Sequence, residues 1–491
     1  MLSEQNEDSK KLKYVNLHGL EPAFFEINRK KFFSNLKAKL PDFDLNSLLV
    51  LEGGKEIPRH DTDTVFYHFI QENYFYYLSG VEYPNFHLLL DLKSEEITLF
   101  LEIPSERYKI FMHVLSPEEA SKRYGLPCLP ETEIVNFITK RNPNNVYRLK
   151  GTNSDSGLEF KKFDFSKNFP LSKFMKEETP REEKQSIEGA YNAAVGKIID
   201  SETLTEVLAD TRVVKSNEEV ELLRFTSEKT CEAHIEVMKG IKNGHYERDA
   251  ENIFINYLRT NFYTRDLPYF PICGCCEGSA TLHYVKNDVP LKNGDIFLLD
   301  MGARLGGYCS DITQTIPVNG KYSKKQKEIY DTVLSAAREV MKNLKAGVRW
   351  SEMHLLAERV IITNLQKFGV LNQGFSVDEM LEKRVCSYFM PHGLGHLLGL
   401  DVHDVGGYLS FTNERICQKG LRSLRTNRNL LANTVVTVEP GCYFVAHLLE
   451  QAFADEDLKK YFNSDLIVKE YYGFGGVRIE DVVLVKENDC E

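Results

Sequence analysis

Four carboxylates stand inside stretches of sequence that otherwise read as buried strands, and any fold must find partners for them. Asp300 ends the apolar run of NGDIFLLDMG, Asp311 follows in GGYCSDIT, Glu439 closes VVTVE, and Glu480 interrupts GVRIEDVVLV. An ionised acid in such surroundings is costly unless it is paired, protonated or bound to a cation. Asp300 and Asp311 flank MGARLGGYCS. A tight turn centred on Leu305 and Gly306 would pair them directly across a hairpin, with Cβ atoms about 5 Å apart. Carboxylates that close repel unless a proton or a metal ion lies between them. Taken alone, this pair is equally well read as ordinary surface hairpin aspartates. Glu439 and Glu480 count against that reading, because both are set in strongly apolar strands.

The acids fall in two stretches of similar pattern. Ser216-x-x-Glu219 and Ser323-x-x-Gln326 are capping-box signatures that open long helices, with Gly240 and Gly347 as the expected stops. The helix ends EVMKGIKNG (236–244) and EVMKNLKAG (339–347) share six of nine residues. Each leads into a second amphipathic helix and then a strand-rich segment. NGDIFLLDMG (293–302) aligns with ANTVVTVEPG (432–441), which sets Asp300 against Glu439. The pattern reads as a duplication, two αα-plus-sheet halves about a pseudo-two-fold axis, each giving two acids to one site. Chance likeness of two amphipathic helices is the alternative.

His396 is the candidate nitrogen donor. It lies in MPHGLGHLLGLDVHD, four residues after His392. Helical zinc sites use that spacing, but Gly393, Gly395 and Gly399 make a helix poor here. They favour a loop or strand whose backbone approaches a ligand closely. Oxygen donors with one imidazole and no thiolate suit Mn²⁺, Co²⁺, Fe²⁺ or Zn²⁺. Two such ions about 3.5–4 Å apart can share a water and clamp a tetrahedral intermediate. The ten cysteines offer no rival site. Only Cys273, Cys275 and Cys276 cluster, and the second CxxC-like pair of a zinc ribbon is missing. Reduced, structural thiols are expected.

Upstream of Ser216 the pattern differs, and 491 residues are too many for one ordinary core. Phe25, Phe32, Leu36 and Leu40 recur at helical spacing. Leu48–Leu51, Tyr74–Leu78, Phe86–Leu90 and Ile97–Leu101, punctuated by Gly53, Gly54, Gly80 and Pro84, read as strands of an α/β sheet. Residues 174–200 read as a charged linker or insertion. The expected organisation is an N-terminal α/β domain over 1–205 and a second domain over 206–491. A net charge of −11 argues against nucleic acid as a partner. No run reaches the roughly 18 apolar residues that span a bilayer. The opening MLSEQNEDSKKLKY lacks the apolar core of a signal peptide, so a cytoplasmic location is expected.

LLDMGARLGGYCSDIT, PHGLGHLLGLDVHDVGG, VVTVEPGCYF and GFGGVRIEDVVLV, in that order, resemble the successive metal-binding blocks of the prolidase, aminopeptidase P and creatinase superfamily. The resemblance extends from about Val214 to Val485, and more weakly back to about Thr62. It implies a creatinase-like N-terminal α/β domain, a pita-bread catalytic domain, and two divalent ions, Mn²⁺ foremost. The ligands it implies are Asp300, Asp311, His396, Glu439 and Glu480, with Asp311 and Glu480 bridging. Glu439 would also assist proton transfer. His403 would contact substrate and steady the tetrahedral intermediate, His392 would stand near the cleft, and His283 in SATLHYV would line the proline side. Arg478 would orient a ligand carboxylate. Tyr269 and Ile272 would be substrate contacts, in a segment (YFPICGCCEG) more cysteine-rich than the family pattern. Satisfied structural histidines, and a buried salt bridge for Arg478, are the plainer readings of these residues. A homodimer is implied by the resemblance alone.

The block GLRSLRTNRNL (420–430) resembles the prolidase segment in which one arginine, here Arg425, binds the free carboxylate of a dipeptide ending in proline. The planar guanidinium fork suits that task. A solvated basic loop formed by Arg422, Arg425 and Arg428 is the alternative. The implied activity is hydrolysis of Xaa-Pro dipeptides. Release of the first residue from longer Xaa-Pro peptides is a second reading, which the same block argues against. A non-catalytic binding module of this fold is a third, and the retention of all five ligand-type residues weighs against it.

Overall fold

The computed structural model describes residues 14–16, 19–64, 68–160, 171, 181–262, 264 and 266–491. The chain divides into two units, Met1–Thr211 and Arg212–Glu491. In the first, six strands form a mixed sheet in the spatial order Cys128–Pro130, Ile97–Leu101, Phe86–Asp91, Leu48–Glu52, Val146–Leu149, Ile198–Ser201. Leu48, Val50, Leu89 and Phe100 pack beneath Ile134, Ile138, Tyr191 and Ala194 of two helices. The helix expected near residues 22–40 spans Pro22–Lys39 and buries Phe25, Phe32 and Leu36.

Two expectations for this unit are corrected. Tyr74–Leu78 is part of a helix, Asn73–Ser79, not a strand. The Glu72 carboxylate accepts the Tyr74 and Phe75 N–H groups, and Gly80 closes the last turn at φ +71°. All five residues are buried, so the run carries neither alternation nor a helical stripe to read. The stretch read as a charged linker contains a helix, Arg181–Val195, whose Tyr191 and Ala194 enter the core. It also contains the edge strand Ile198–Ser201, parallel to Val146–Leu149. Residues 174–180 lie outside the described residues.

In the second unit, helices Asn217–Gly240 and Glu247–Phe262 precede the strands Ile272–Cys275, Ile296–Asp300 and Thr313–Pro317. Helices Lys324–Asn343 and Trp350–Lys367 precede Val435–Val438, Gly441–Tyr443, Gly476–Arg478 and Asp481–Leu484. The first helix of each pair opens with a complete capping box, at Ser216 and Ser323. Trp350 is fully buried in the main core and donates its Nε1–H to the Gly395 carbonyl at 3.1 Å.

The first hairpin turns one residue later than expected. Arg304 pairs with Cys309 and Leu305 with Tyr308, leaving Gly306 and Gly307 as a two-residue turn at φ +53° and +84°. Positive φ at both centres is what glycine permits and a hairpin's twist favours. Asp300 therefore pairs with Thr313, and Asp311 is two residues displaced. A two-residue shift preserves the face, so both acids still serve one side. In the second half, pairing of Val438 with Asp481 and of Gly441 with Arg478 sets Glu439 opposite Glu480. A bridge between Thr313 and Glu480, with the Glu480 N–H on the Thr313 carbonyl at 3.0 Å, joins the two halves edge to edge.

A buried ionic cluster fastens the segment after His396. Arg212 Nη2 donates to Asp404 Oδ1 at 2.7 Å and Lys215 Nζ to Asp404 Oδ2 at 2.8 Å, with no more than 2% of any of the three side chains exposed. Burial pushes the Asp404 carboxyl up, but Lys215 and Arg212 prevail and hold it below its ordinary value. A depressed folded value means stability that is full above the unfolded carboxyl's value and lost as pH falls through the folded one. Asp404→Ala is expected to cost about 3 kcal/mol at neutral pH, because the buried Lys215 loses its carboxylate and Arg212 keeps only Asp401. Urea unfolding followed from neutral to strongly acid pH checks this, with the gap to wild type narrowing at the acid end.

Candidate metal centre

The strand pairing delivers the acids to one place. Tyr269 OH donates into the carboxylates of both Asp300 and Asp311, at 2.7 and 2.6 Å. His396 Nε2 stands 3.4 Å from Asp311 Oδ2 and 3.6 Å from Glu439 Oε1. Ligand atoms of Asp311, His396 and Glu480 lie within 4.8 Å of one another. Asp300 is tied in through Arg478, whose Nη2 donates to it, and Arg478 Nε stands 4.0 Å from Glu480 Oε2. All five candidate donors and Arg478 are thus in one site.

Glycine lets the histidine strand approach so closely. A Cβ on Gly395 would stand 2.0 Å from the Thr437 carbonyl oxygen. Residues 391–399 form no helix. The His396 Nδ1 lies 3.0 Å from the Leu397 carbonyl, which can only accept, so Nδ1 carries the hydrogen and Nε2 faces the acids. His392 is held alike. Its Nδ1–H donates to the Gly393 carbonyl at 2.7 Å, and Nε2 accepts from Tyr443 OH at 3.1 Å. Tyr443 OH in turn accepts from Arg478 Nη1 at 3.0 Å. Burial, reinforced by Arg478, lowers the His392 imidazole to about 3, so it is neutral at physiological pH.

The acids are in electrostatic difficulty. Burial lifts Asp300 to about 7, Arg478 opposing and Asp311 adding to the lift. Burial, then repulsion from Asp311, Glu439 and Asp300, raises Glu480 well above the carboxylate range. Glu439 is raised by burial against the pull of His396 and Arg478. Burial disfavours the His396 cation, yet the Asp311 and Glu439 carboxylates raise its value overall. Arg478, His396 and the half-buried Arg425 carry fewer positive charges than the four acids carry negative ones. Oxygen donors around a single imidazole, with the repulsion unrelieved, fit divalent cations.

His403 and His283 border the acids. The His396 and His403 rings are 4.5 Å apart between centroids and nearly perpendicular. One face of His403 is open to solvent. Desolvation on its other sides, then the charges of His396, Arg425 and His283, holds its imidazole well below the ordinary value. His283, also partly open, is lowered by desolvation and by Arg425 and Arg478. The three arginines of 420–430 do not share one environment. Arg422 faces solvent, Arg428 is buried, and Arg425 is half-buried where its charge acts on His283, His403 and Glu439. Ile272 packs with Leu298 and Tyr443.

Three hydroxyls escaped the sequence reading. Thr313 Oγ1 donates to Glu480 Oε2 at 2.6 Å and accepts from Arg478 Nε at 3.1 Å. Thr437 Oγ1 accepts the His396 N–H at 3.1 Å and reaches Glu439 Oε1 at 3.4 Å. Tyr443 links Arg478 to His392. A threonine inside an apolar strand must find a buried partner, and that was the signal available.

Four acids and an imidazole brought to one point make a centre suited to divalent metal ions. Residues 221–487 match the model of metallopeptidase family M24, and residues 25–147 that of the aminopeptidase P N-terminal domain. The chain belongs to metallopeptidase family M24, with an aminopeptidase P-type N-terminal domain and a pita-bread catalytic domain. It is 37% identical to the Xaa-Pro dipeptidase of Homo sapiens over 96% of this chain and 90% of that one. It is 34% identical to a probable Xaa-Pro aminopeptidase of Talaromyces marneffei, over 91% of this chain and 90% of that one. Among solved structures, aminopeptidase PepP of Pseudomonas aeruginosa superposes with a TM-score of 0.72 at 26% identity, covering 94% of each chain. Aminopeptidase P of E. coli with the inhibitor Pro-Leu gives 0.71 at 26%, again over 94% of each.

Thr313→Val strands a Glu480 oxygen and the Arg478 Nε. It is expected to weaken divalent-cation binding about 10- to 100-fold, as loss of a hydrogen bond to a donor carboxylate does. Titration of the metal-stripped protein measures it, with circular dichroism confirming an unchanged fold.

Proposed function

We propose that the protein is an Xaa-Pro dipeptidase that cleaves dipeptides with C-terminal proline, using two divalent ions, Mn²⁺ foremost. The observation that carries this reading is Arg425. It is half-buried and acts electrostatically on His283, His403 and Glu439, so a free carboxylate bound to it would lie beside the acids. The identity to mammalian Xaa-Pro dipeptidases over 96% of the chain supports the same conclusion.

Asp300, Asp311, His396, Glu439 and Glu480 would hold the ions. When bound, the ions supply Lewis-acid polarisation and acidify the attacking water. Glu439, its carboxyl raised by burial, is suited to take the water proton and return it to the leaving nitrogen. His403, neutral, offers an N–H to the oxygen of the carbonyl under attack. His283 lines the proline ring, and Arg425 takes the terminal carboxylate in its fork. Arg478, with Tyr269 and Thr313 as neighbours on the carboxylates, keeps the acids oriented. His392, neutral and bonded to Tyr443, stands 3.9 Å from a Glu439 oxygen and borders the proton-transfer site.

Metal-stripped protein is expected to be inactive and to regain Gly-Pro hydrolysis on addition of Mn²⁺, with little cleavage of Gly-Pro-Gly. Preference for the tripeptide would instead indicate an aminopeptidase of the P type. Arg425→Met is expected to raise KM for Gly-Pro by about 10- to 100-fold, the usual worth of a charge-assisted bidentate contact. Steady-state kinetics on both substrates reads it out.

A further inference from the structure

The segment that carries Arg425 is laced to the segment that carries His403 by contacts that lie outside the metal centre. A Cβ on Gly407 would stand 2.2 Å from the Arg425 carbonyl oxygen, so the two backbones touch. Thr426 Oγ1 donates to the Gly407 carbonyl at 3.1 Å and accepts the Arg428 N–H at 3.2 Å. Arg428 Nη1 donates to the Gly406 carbonyl at 2.8 Å. Thr426 and Arg428 are buried, so water does not compete for these bonds. Arg428 is itself fixed, because its carbonyl accepts the Trp350 N–H at 3.1 Å.

The other end of the lacing is equally firm. Asp404, adjacent to His403, is clamped by Arg212 and Lys215, and its N–H donates to the Leu397 carbonyl beside His396 at 2.8 Å. A carboxylate-binding arginine selects by length only when its distance from the reacting groups is fixed. On a loose loop it would follow the end of a longer peptide and admit it.

We infer that Arg428 is a positioning residue that sets substrate length. Its bond to the Gly406 carbonyl fixes Arg425 relative to His403 and confines the site to peptides whose free carboxylate lies one residue past the scissile bond. The inference rests on the reading of Arg425 as the carboxylate clamp of a dipeptidase.

Arg428→Met keeps the aliphatic stem and deletes the donor. In the Mn²⁺-loaded enzyme KM for Gly-Pro is expected to rise about tenfold with kcat within about threefold, the signature of lost ground-state positioning. The specificity ratio of Gly-Pro-Gly to Gly-Pro should rise about tenfold with it, at unchanged metal content. Thr426→Val, which removes the parallel bond, should move the same two quantities in the same direction, and it decides the matter where Arg428→Met does not fold. Unchanged KM and ratio would overturn the inference, as would an equal fall in kcat on both substrates with loss of metal. A defect in Arg425→Met without one in these variants would leave the dipeptidase reading intact and remove only the ruler. A wild-type protein inert toward Gly-Pro would remove both.

Discussion

Mutual repulsion among buried carboxylates governs the catalytic unit. Asp300, Asp311 and Glu480 are almost out of water, and Glu439 is mostly buried, with Arg478, His396 and the half-buried Arg425 as the positive charges at hand. Such a group is tolerable only if every oxygen is spoken for, and the surroundings show how far that is carried. Tyr269 spans two acids, Thr313 and Thr437 attend one glutamate each, and Arg478 reaches three partners besides its own strand. The residual imbalance is of the sign that divalent cations relieve. The second-half strands are secured by the apolar core around Trp350, the first-half strands by a separate apolar core, and the segment after His396 by the buried Asp404 cluster. Fold stability and metal affinity therefore draw on largely separate sets of residues.

Much of this was legible because cost shows in sequence. An acid amid valines is conspicuous, and so are two capping boxes opening two similar helices. The helix starts at Ser216 and Ser323 were readable because a cap is a local event. The hairpin register was misjudged by centring the turn between Asp300 and Asp311, when the Gly306-Gly307 pair was the stronger local signal. Parity rescued the conclusion, since a slip of two leaves every side chain on its face.

What stayed hidden has physical causes. Tyr74–Leu78 is buried on every side, and a fully buried segment loses the periodicity that tells helix from strand. Residues 181–195 are rich in charge, yet Tyr191 and Ala194, with Ala190 and Val195 beside them, dock them as a helix. Thr313 and Tyr443 look like routine strand residues until the partners across the sheet are known. The three arginines of 420–430 were alike in sequence and differ only in which is buried, half-buried or exposed.

The lone tryptophan of the chain has an optical consequence. Its indole donates to the carbonyl of Gly395, immediately before His396, from a site sealed against solvent. Ultraviolet emission excited selectively at this chromophore therefore originates from a single point, one peptide unit away from an imidazole of the metal centre. The protein carries its own spectroscopic gauge of that loop, with no label required.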